Sequence, residues 1–131
     1  MKALAMIHDV DPRRAIMEAA EPYLDGFEPL GAQVLVAIYQ RPQRTASGLY
    51  LSDGVRTEDL WQGKCGLVLK MGPLAFVEDE THRFGDRVPK PGDWVVYRVG
   101  DSWPFLIEKT NCRFVEDVAI KAIVNRPDVV M

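Results

Sequence analysis

Hydrophobic and polar positions divide the chain into a short helical stretch at the amino end and a longer region of short strands. Val34-Leu35-Val36-Ala37-Ile38-Tyr39 is rich in β-branched and aromatic residues and predicts a strand. Gly66-Leu67-Val68-Leu69-Lys70-Met71 predicts a second, closed by Gly72-Pro73. Pro91-Gly92-Asp93 is a turn in which glycine supplies an unusual φ, and Trp94-Val95-Val96-Tyr97-Arg98-Val99 follows it as a third strand. Phe105-Leu106-Ile107-Glu108 and Arg113-Phe114-Val115 are shorter candidates, and Ile120 to Val124 closes the set before Asn125-Arg126-Pro127. Many short strands separated by turn signals indicate an all-β domain, either a small barrel or a sandwich.

The first 28 residues read differently. Asp11 has the character of an N-cap, Pro12 suits the first helical position, and Arg13 to Glu21 are good helix formers. Pro22 is expected to stop the run. A helix of about ten residues does not stand alone in water. Ile16 and Ala20, with Met17 beside them, must therefore dock on something, or the segment stays mobile. Gly26 and Pro29 punctuate the passage onward, which places a boundary near residue 28. No internal repeat, low-complexity tract or heptad pattern interrupts the remainder.

Two connections are long for a compact domain, one from Gln40 to about Gly63 and one from Gly72 to Pro91. The first has polar, turn-prone flanks that bury too little apolar surface to offset the entropy of ordering, so mobility is expected of it in the free chain. At its centre Gly48 precedes Leu49-Tyr50-Leu51. An apolar triplet carried on such a loop suits the groove of another protein. It also suits a short edge strand packed on its own domain. As an anchor, three buried side chains would contribute roughly 5–9 kcal/mol gross. Ordering the backbone costs about 1–2 kcal/mol per residue. One copy would grip weakly, whereas several copies on a ring would grip well, because each later contact is effectively intramolecular.

Composition narrows the classes. Of 131 residues, 47% are apolar and 27% charged, and 16 Lys+Arg against 19 Asp+Glu give a net charge of −3. These values suit one compact domain with an appendage. The mild acidic balance argues against broad, sequence-independent nucleic-acid binding. Trp61, Trp94 and Trp103 could form a stacking platform for single strands, but Trp94 sits in a strand alternation that reads as core. No apolar run approaches the ~20 residues of a membrane helix. The apolar stretch of Met1 to Ile7 is too short for a signal-peptide core, so a cytoplasmic address is expected. Cys65 and Cys112 read as buried, reduced thiols. His8 and His82 have no partner at ligand spacing, so no metal is expected. No phosphate-cradling glycine motif, paired catalytic carboxylates or nucleophile–base pairing stands out, so neither an enzyme nor a cofactor is expected.

Taken in order, several segments resemble the GroES family of co-chaperonins, the small lids of chaperonin folding chambers. Pro29-Leu30-Gly31-Ala32-Gln33-Val34-Leu35-Val36 is similar to the family's opening strand, which follows a Pro-Leu pair. Ser47-Gly48-Leu49-Tyr50-Leu51 resembles its mobile-loop signature, a glycine followed by three apolar residues. Gly63-Lys64-Cys65-Gly66-Leu67-Val68-Leu69-Lys70-Met71-Gly72 resembles the strand after that loop, and Pro91-Gly92-Asp93-Trp94-Val95-Val96-Tyr97 the Gly-Asp turn and its strand. Asp117 to Val124 looks like the closing strand. The matches cover about residues 29–126.

The resemblance implies a small irregular GroES-like β-barrel at 29–126, with a short N-terminal helical extension (1–28) and a tail at 127–131. It implies a mobile loop at about 41–58 and a roof loop at about 73–90, where Leu74-Ala75-Phe76-Val77 and the acidic run Glu78-Asp79-Glu80 fall. From composition that run reads as a solvated face. The implied assembly is a seven-membered ring of copies. Gly48, Leu49, Tyr50 and Leu51 are then the binding residues, entering the apical groove of a GroEL-type chaperonin large subunit. ATP belongs to that partner, and substrate protein is enclosed for folding. The chain departs from the family in its extension, in the bulk of Tyr50 and at Asp101-Ser102-Trp103-Pro104. Such drift suits a divergent lid, viral or accessory. It equally suits a structural or interaction ring, part of a larger particle, without chaperonin activity.

Overall fold

The computed structural model describes residues 11–40 and 64–130. Among the described residues there are one helix and six strands: α1 (Pro12–Leu24), β1 (Gln33–Ile38), β2 (Cys65–Met71), β3 (Trp94–Tyr97), β4 (Ser102–Ile107), β5 (Thr110–Glu116) and β6 (Ile120–Val124). Single 3₁₀ turns at Val99–Asp101, Asp117–Ala119 and Pro127–Val129 link or follow the later strands. The strands form one antiparallel sheet in the order β4-β5-β1-β2-β3-β6. β1 is therefore central, pairing with β2 on one side (Ile38 opposite Gly66) and with β5 on the other (Ala37 opposite Cys112).

Alternation along β1 sends side chains into two separate cores. Leu35, Ala37 and Tyr39 join Leu67, Leu69, Trp94 and Cys112 on one face. Val34 and Val36 join Val68, Val95, Tyr97 and Val115 on the other. A strand buried on both faces reads as a continuous apolar run, which is why β1 shows no polar alternation.

α1 covers the first of these faces. Ala20 is fully buried, and Ile16, Met17 and Leu24 pack against the same cluster, as a helix too short to stand alone requires. Asp11 caps the helix, its carboxylate accepting the Arg13 N–H at 3.1 Å, with Pro12 in the first turn. The helix does not stop at Pro22 but runs through it to Leu24. Proline there forfeits one amide bond in the last turn, and two hydrogen bonds compensate. Lys70 Nζ donates to the Leu24 and Phe27 carbonyls, each at 2.7 Å, clasping the helix exit to β2. Phe27 then stacks on Phe105 of β4.

The second face holds an unexpected charge. Arg113 of β5 is only 1% exposed, and its guanidinium lies 6.0 Å from the ring centroid of Tyr97 on β3. Its Nη1 also donates to Ser102 Oγ at 3.3 Å. Burial pushes the Tyr97 hydroxyl above its ordinary range, against the pull of the Arg113 charge.

Candidate functional site

The two long connections leave the sheet at opposite ends. β1 and β2 are antiparallel neighbours, so the chain leaves the carboxyl end of β1 and rejoins at the amino end of β2. β2 runs back, so residues 72–93 span the other end, between β2 and β3. Gly48, Leu49, Tyr50 and Leu51 lie outside the described residues. What the structure supplies is the frame that carries their segment.

That frame is firmly built. The Tyr39 N–H donates to the Cys65 carbonyl and the Tyr97 N–H to the Lys64 carbonyl, both at 3.0 Å, extending the ladder to the roots of the connection. Tyr39 meets Trp94 edge-on with centroids 5.6 Å apart, a favourable aromatic geometry. Tyr39, Cys65 and Trp94 are all buried. Burial also pushes the Cys65 thiol up to about 12, which leaves it protonated. Both cysteines are buried and free.

At the opposite end, residues 72–91 contain no strand and form a loop tied through side chains. The Asp79 N–H donates to the His82 carbonyl at 3.1 Å, closing a tight turn. Asp79 Oδ1 accepts the His82 and Thr81 N–H groups at 2.7 and 2.8 Å, and Oδ2 lies 3.3 Å from His82 Nδ1. These bonds, the His82 N–H foremost, hold the Asp79 carboxyl below its usual range. Glu78 Oε1 accepts the Phe84 and Gly85 N–H groups at 3.1 and 3.0 Å. The acidic run is thus more than a solvated face. Glu78 and Asp79 stay exposed while their carboxylates brace the loop backbone.

A further residue pins this loop to the sheet, and sequence reasoning missed it. Asp117, buried between β5 and β6, accepts the Phe76 N–H at 2.9 Å and the Val118 N–H at 2.7 Å. Phe76 stands at φ +58°, a left-handed conformation costing about 1–2 kcal/mol for a residue with a side chain. Its edge-on contact with Phe84 helps hold it there. Within Glu116-Asp117-Val118 nothing in the sequence separates this carboxylate from an ordinary surface acid.

The chain matches no protein-family model and no curated protein. Among the described residues, no three His, Cys, Asp or Glu side chains converge as a metal site would, and no helix is long and apolar enough to cross a membrane. Trp94 and Trp103 share no surface: Trp94 is 2% exposed in the core, and Trp103 is 67% exposed on β4. The geometry offers fixed roots for one long connection, a braced loop at the opposite end, and open sheet edges.

Proposed function

We propose that this chain is a subunit of a co-chaperonin lid. Copies form a ring, seven in number on the family resemblance, and cap an ATP-driven chaperonin of the GroEL type in the cytoplasm. Gly48, Leu49, Tyr50 and Leu51 are the contact residues, the apolar three entering the chaperonin's apical groove while the ring encloses substrate protein for folding. No nucleic acid, membrane or cofactor takes part. The observation that carries this reading is the placement of the two long connections at opposite ends of one small sheet. Such a body can hold a partner at one rim while the braced loop closes the other.

The sheet is proposed to curl into the irregular barrel of that family. β5 and β3 are separated by β1 and β2, so in a flat sheet they would lie about 14 Å apart at ~4.8 Å per step. The Arg113 and Tyr97 side chains span most of that separation, the guanidinium lying 6.0 Å from the ring centroid, which suits a curved sheet.

Leu49→Asp with Leu51→Asp should abolish capping of an ATP-loaded chaperonin while leaving the ring assembled. Normal capping by the double variant would place the anchor elsewhere. A second reading, a structural or interaction ring without chaperonin activity, is favoured by the exposed Leu30, Trp103 and Leu106 side chains. Size-exclusion chromatography with light scattering, with and without chaperonin and nucleotide, separates the two. A ring that ignores chaperonin supports the structural reading, and a strict monomer refutes both.

A further inference from the structure

Aromatic rings from β4, β5 and the segment after α1 form a row on the α1 face of the sheet. Phe27 stacks on Phe105 with ring centroids 6.0 Å apart, Phe105 on Phe114 at 4.7 Å, and Phe114 on Trp103 at 6.4 Å, with interplanar angles of 22°, 17° and 17°. Phe27, Phe105 and Phe114 pack against the core cluster that α1 covers, whereas Trp103 at the far end is 67% exposed. Its indole is held by two neighbours, Phe114 and Phe105, so a partner meets a fixed surface and little side-chain entropy is lost on contact. Pro104, next in β4, lacks the N–H that an added strand would need. Recognition on this strand must therefore run through side chains.

Carboxylates stand at both ends of this row. Glu116 follows Phe114 by two residues, on the same face of β5 and exposed. At the other end Glu108, just past β4, accepts the Tyr23 hydroxyl at 3.4 Å. Glu108 stands at φ +52°, a left-handed turn position that glycine occupies without strain. The end of α1 is acidic too. Its last turn holds Glu21 and no base, and Asp25 follows as the cap, although the carboxyl end of a helix disfavours negative charge. Lys70 is committed to the Leu24 and Phe27 carbonyls, which leaves Lys109 beside Glu108 as the opposing cation. Acids placed where the turn and the helix both disfavour them, around exposed aromatic surface, suit a cation from outside the chain.

We propose that this aromatic row is a docking surface for an arginine-rich segment of another protein. Guanidinium groups stack on Trp103 and meet Glu108 and Glu116 through a planar fork of donors, which an ammonium group lacks. β4 has six residues and offers about 20 Å of surface, the length of six extended residues of a partner. Charge complementarity selects basic over acidic partners and makes the association sensitive to salt. This inference rests neither on the anchor at Leu49-Tyr50-Leu51 nor on a chaperonin, and it would survive the failure of either.

The test uses the whole chain and fluorescein-labelled ten-residue peptides of arginine, lysine or glutamate alternating with serine, read by anisotropy. The arginine peptide should bind more tightly than the lysine peptide, and the glutamate peptide should not bind. Trp103→Ser should weaken binding of the arginine peptide about fivefold or more, through loss of an exposed cation–π contact and its apolar area. Leu106→Ser, at a 61% exposed position on the opposite face of β4, should leave binding unchanged. Glu108→Gly should weaken binding about two- to fivefold while raising the urea midpoint, because glycine relieves the left-handed turn. A carboxylate serving only the fold would lower the midpoint and leave the affinity alone. Should Trp103→Ser fail to fold by circular dichroism, Glu108→Gly carries the test. Equal binding of the arginine and lysine peptides, or equal affinities of the Trp103→Ser and Leu106→Ser variants, overturns the proposal. So does break-up of an assembly of copies by Trp103→Ser without loss of peptide affinity, which would make the occupant a second copy of this chain.

Discussion

Gly72→Ala is the sharpest test of how the chain entering β1 closes on the chain leaving β2. A Cβ at residue 72 would fall on the Gly31 carbonyl oxygen, with the Gly31 carbonyl carbon and the Leu30 oxygen each 3.1 Å away. All three are backbone atoms, so no side-chain rotation relieves the clash. Relief requires the 30–33 and 71–74 segments to separate. That movement opens the bonds from Gly72 N–H to the Gln33 carbonyl (2.8 Å) and from Leu74 N–H to the Gly31 carbonyl (2.9 Å). Each bond is worth about 1 kcal/mol net, and a group left unpaired adds about 1–3 kcal/mol, so the expected loss is about 2–4 kcal/mol. Domain stabilities are only about 5–15 kcal/mol. Urea unfolding followed by tryptophan fluorescence, which reports buried Trp94, measures it. With a slope of about 1–3 kcal/mol/M, the midpoint should fall by about 1–2 M. Gly100→Ala is the control, since no atom lies within 4 Å of its Cβ position, and it should change stability by less than about 0.5 kcal/mol. Equal midpoints for the two variants would refute the close approach.

Three further outcomes follow from the loop and the core. Asp117→Ala removes the acceptor of the Phe76 and Val118 N–H groups and should cost about 2–4 kcal/mol, with both amides losing protection in hydrogen exchange; unchanged protection would show that the carboxylate does not hold the loop. Because the folded Asp79 carboxyl titrates below its ordinary 3.8, its contribution is present above that value and is lost as pH falls through the lower folded value. The Asp79 side-chain carboxyl carbon resonance should therefore titrate with a midpoint below pH 3.8, and a midpoint at or above 3.8 would contradict the assignment. Burial raises the Cys65 and Cys112 thiols to about 12 and about 11, so a disulfide reagent at pH 8 should label neither until denaturant is added; prompt labelling of either would place it at the surface.

Local structure was legible where one physical signal dominates. Ile120 to Val124 is a strand with the bounds its composition suggests, Asp11-Pro12 opens α1, and Gly92 takes φ +96° as its turn requires. The failures have causes. Pro22 marks a stop in isolation, yet the Lys70 clasp from β2 supports the last turn. β4 begins at Ser102, earlier than its apolar residues suggest, because an edge strand tolerates Pro104. Arg113 and Asp117 are buried, and apolar periodicity cannot mark polar residues as interior. Strand order was invisible to any window-based reading, since β1 pairs with a strand near the far end of the chain. The candidate anchor at Leu49-Tyr50-Leu51 came from sequence alone, whereas the tie from Asp117 to the Phe76 N–H exists only once residues 41 positions apart are brought together.

The central position of β1 also bears on biosynthesis. Gln33 pairs with Glu116 and Ala37 with Cys112, so one flank of β1 waits for a partner made about 75–83 residues later. At roughly 5–20 residues per second the delay is about 4–17 s on the ribosome. Throughout it, a nascent segment as greasy as Val34 to Ile38 lacks half of its eventual shelter. A polypeptide proposed to help confine other unfinished proteins is thus, early in its own life, a candidate for the same protection.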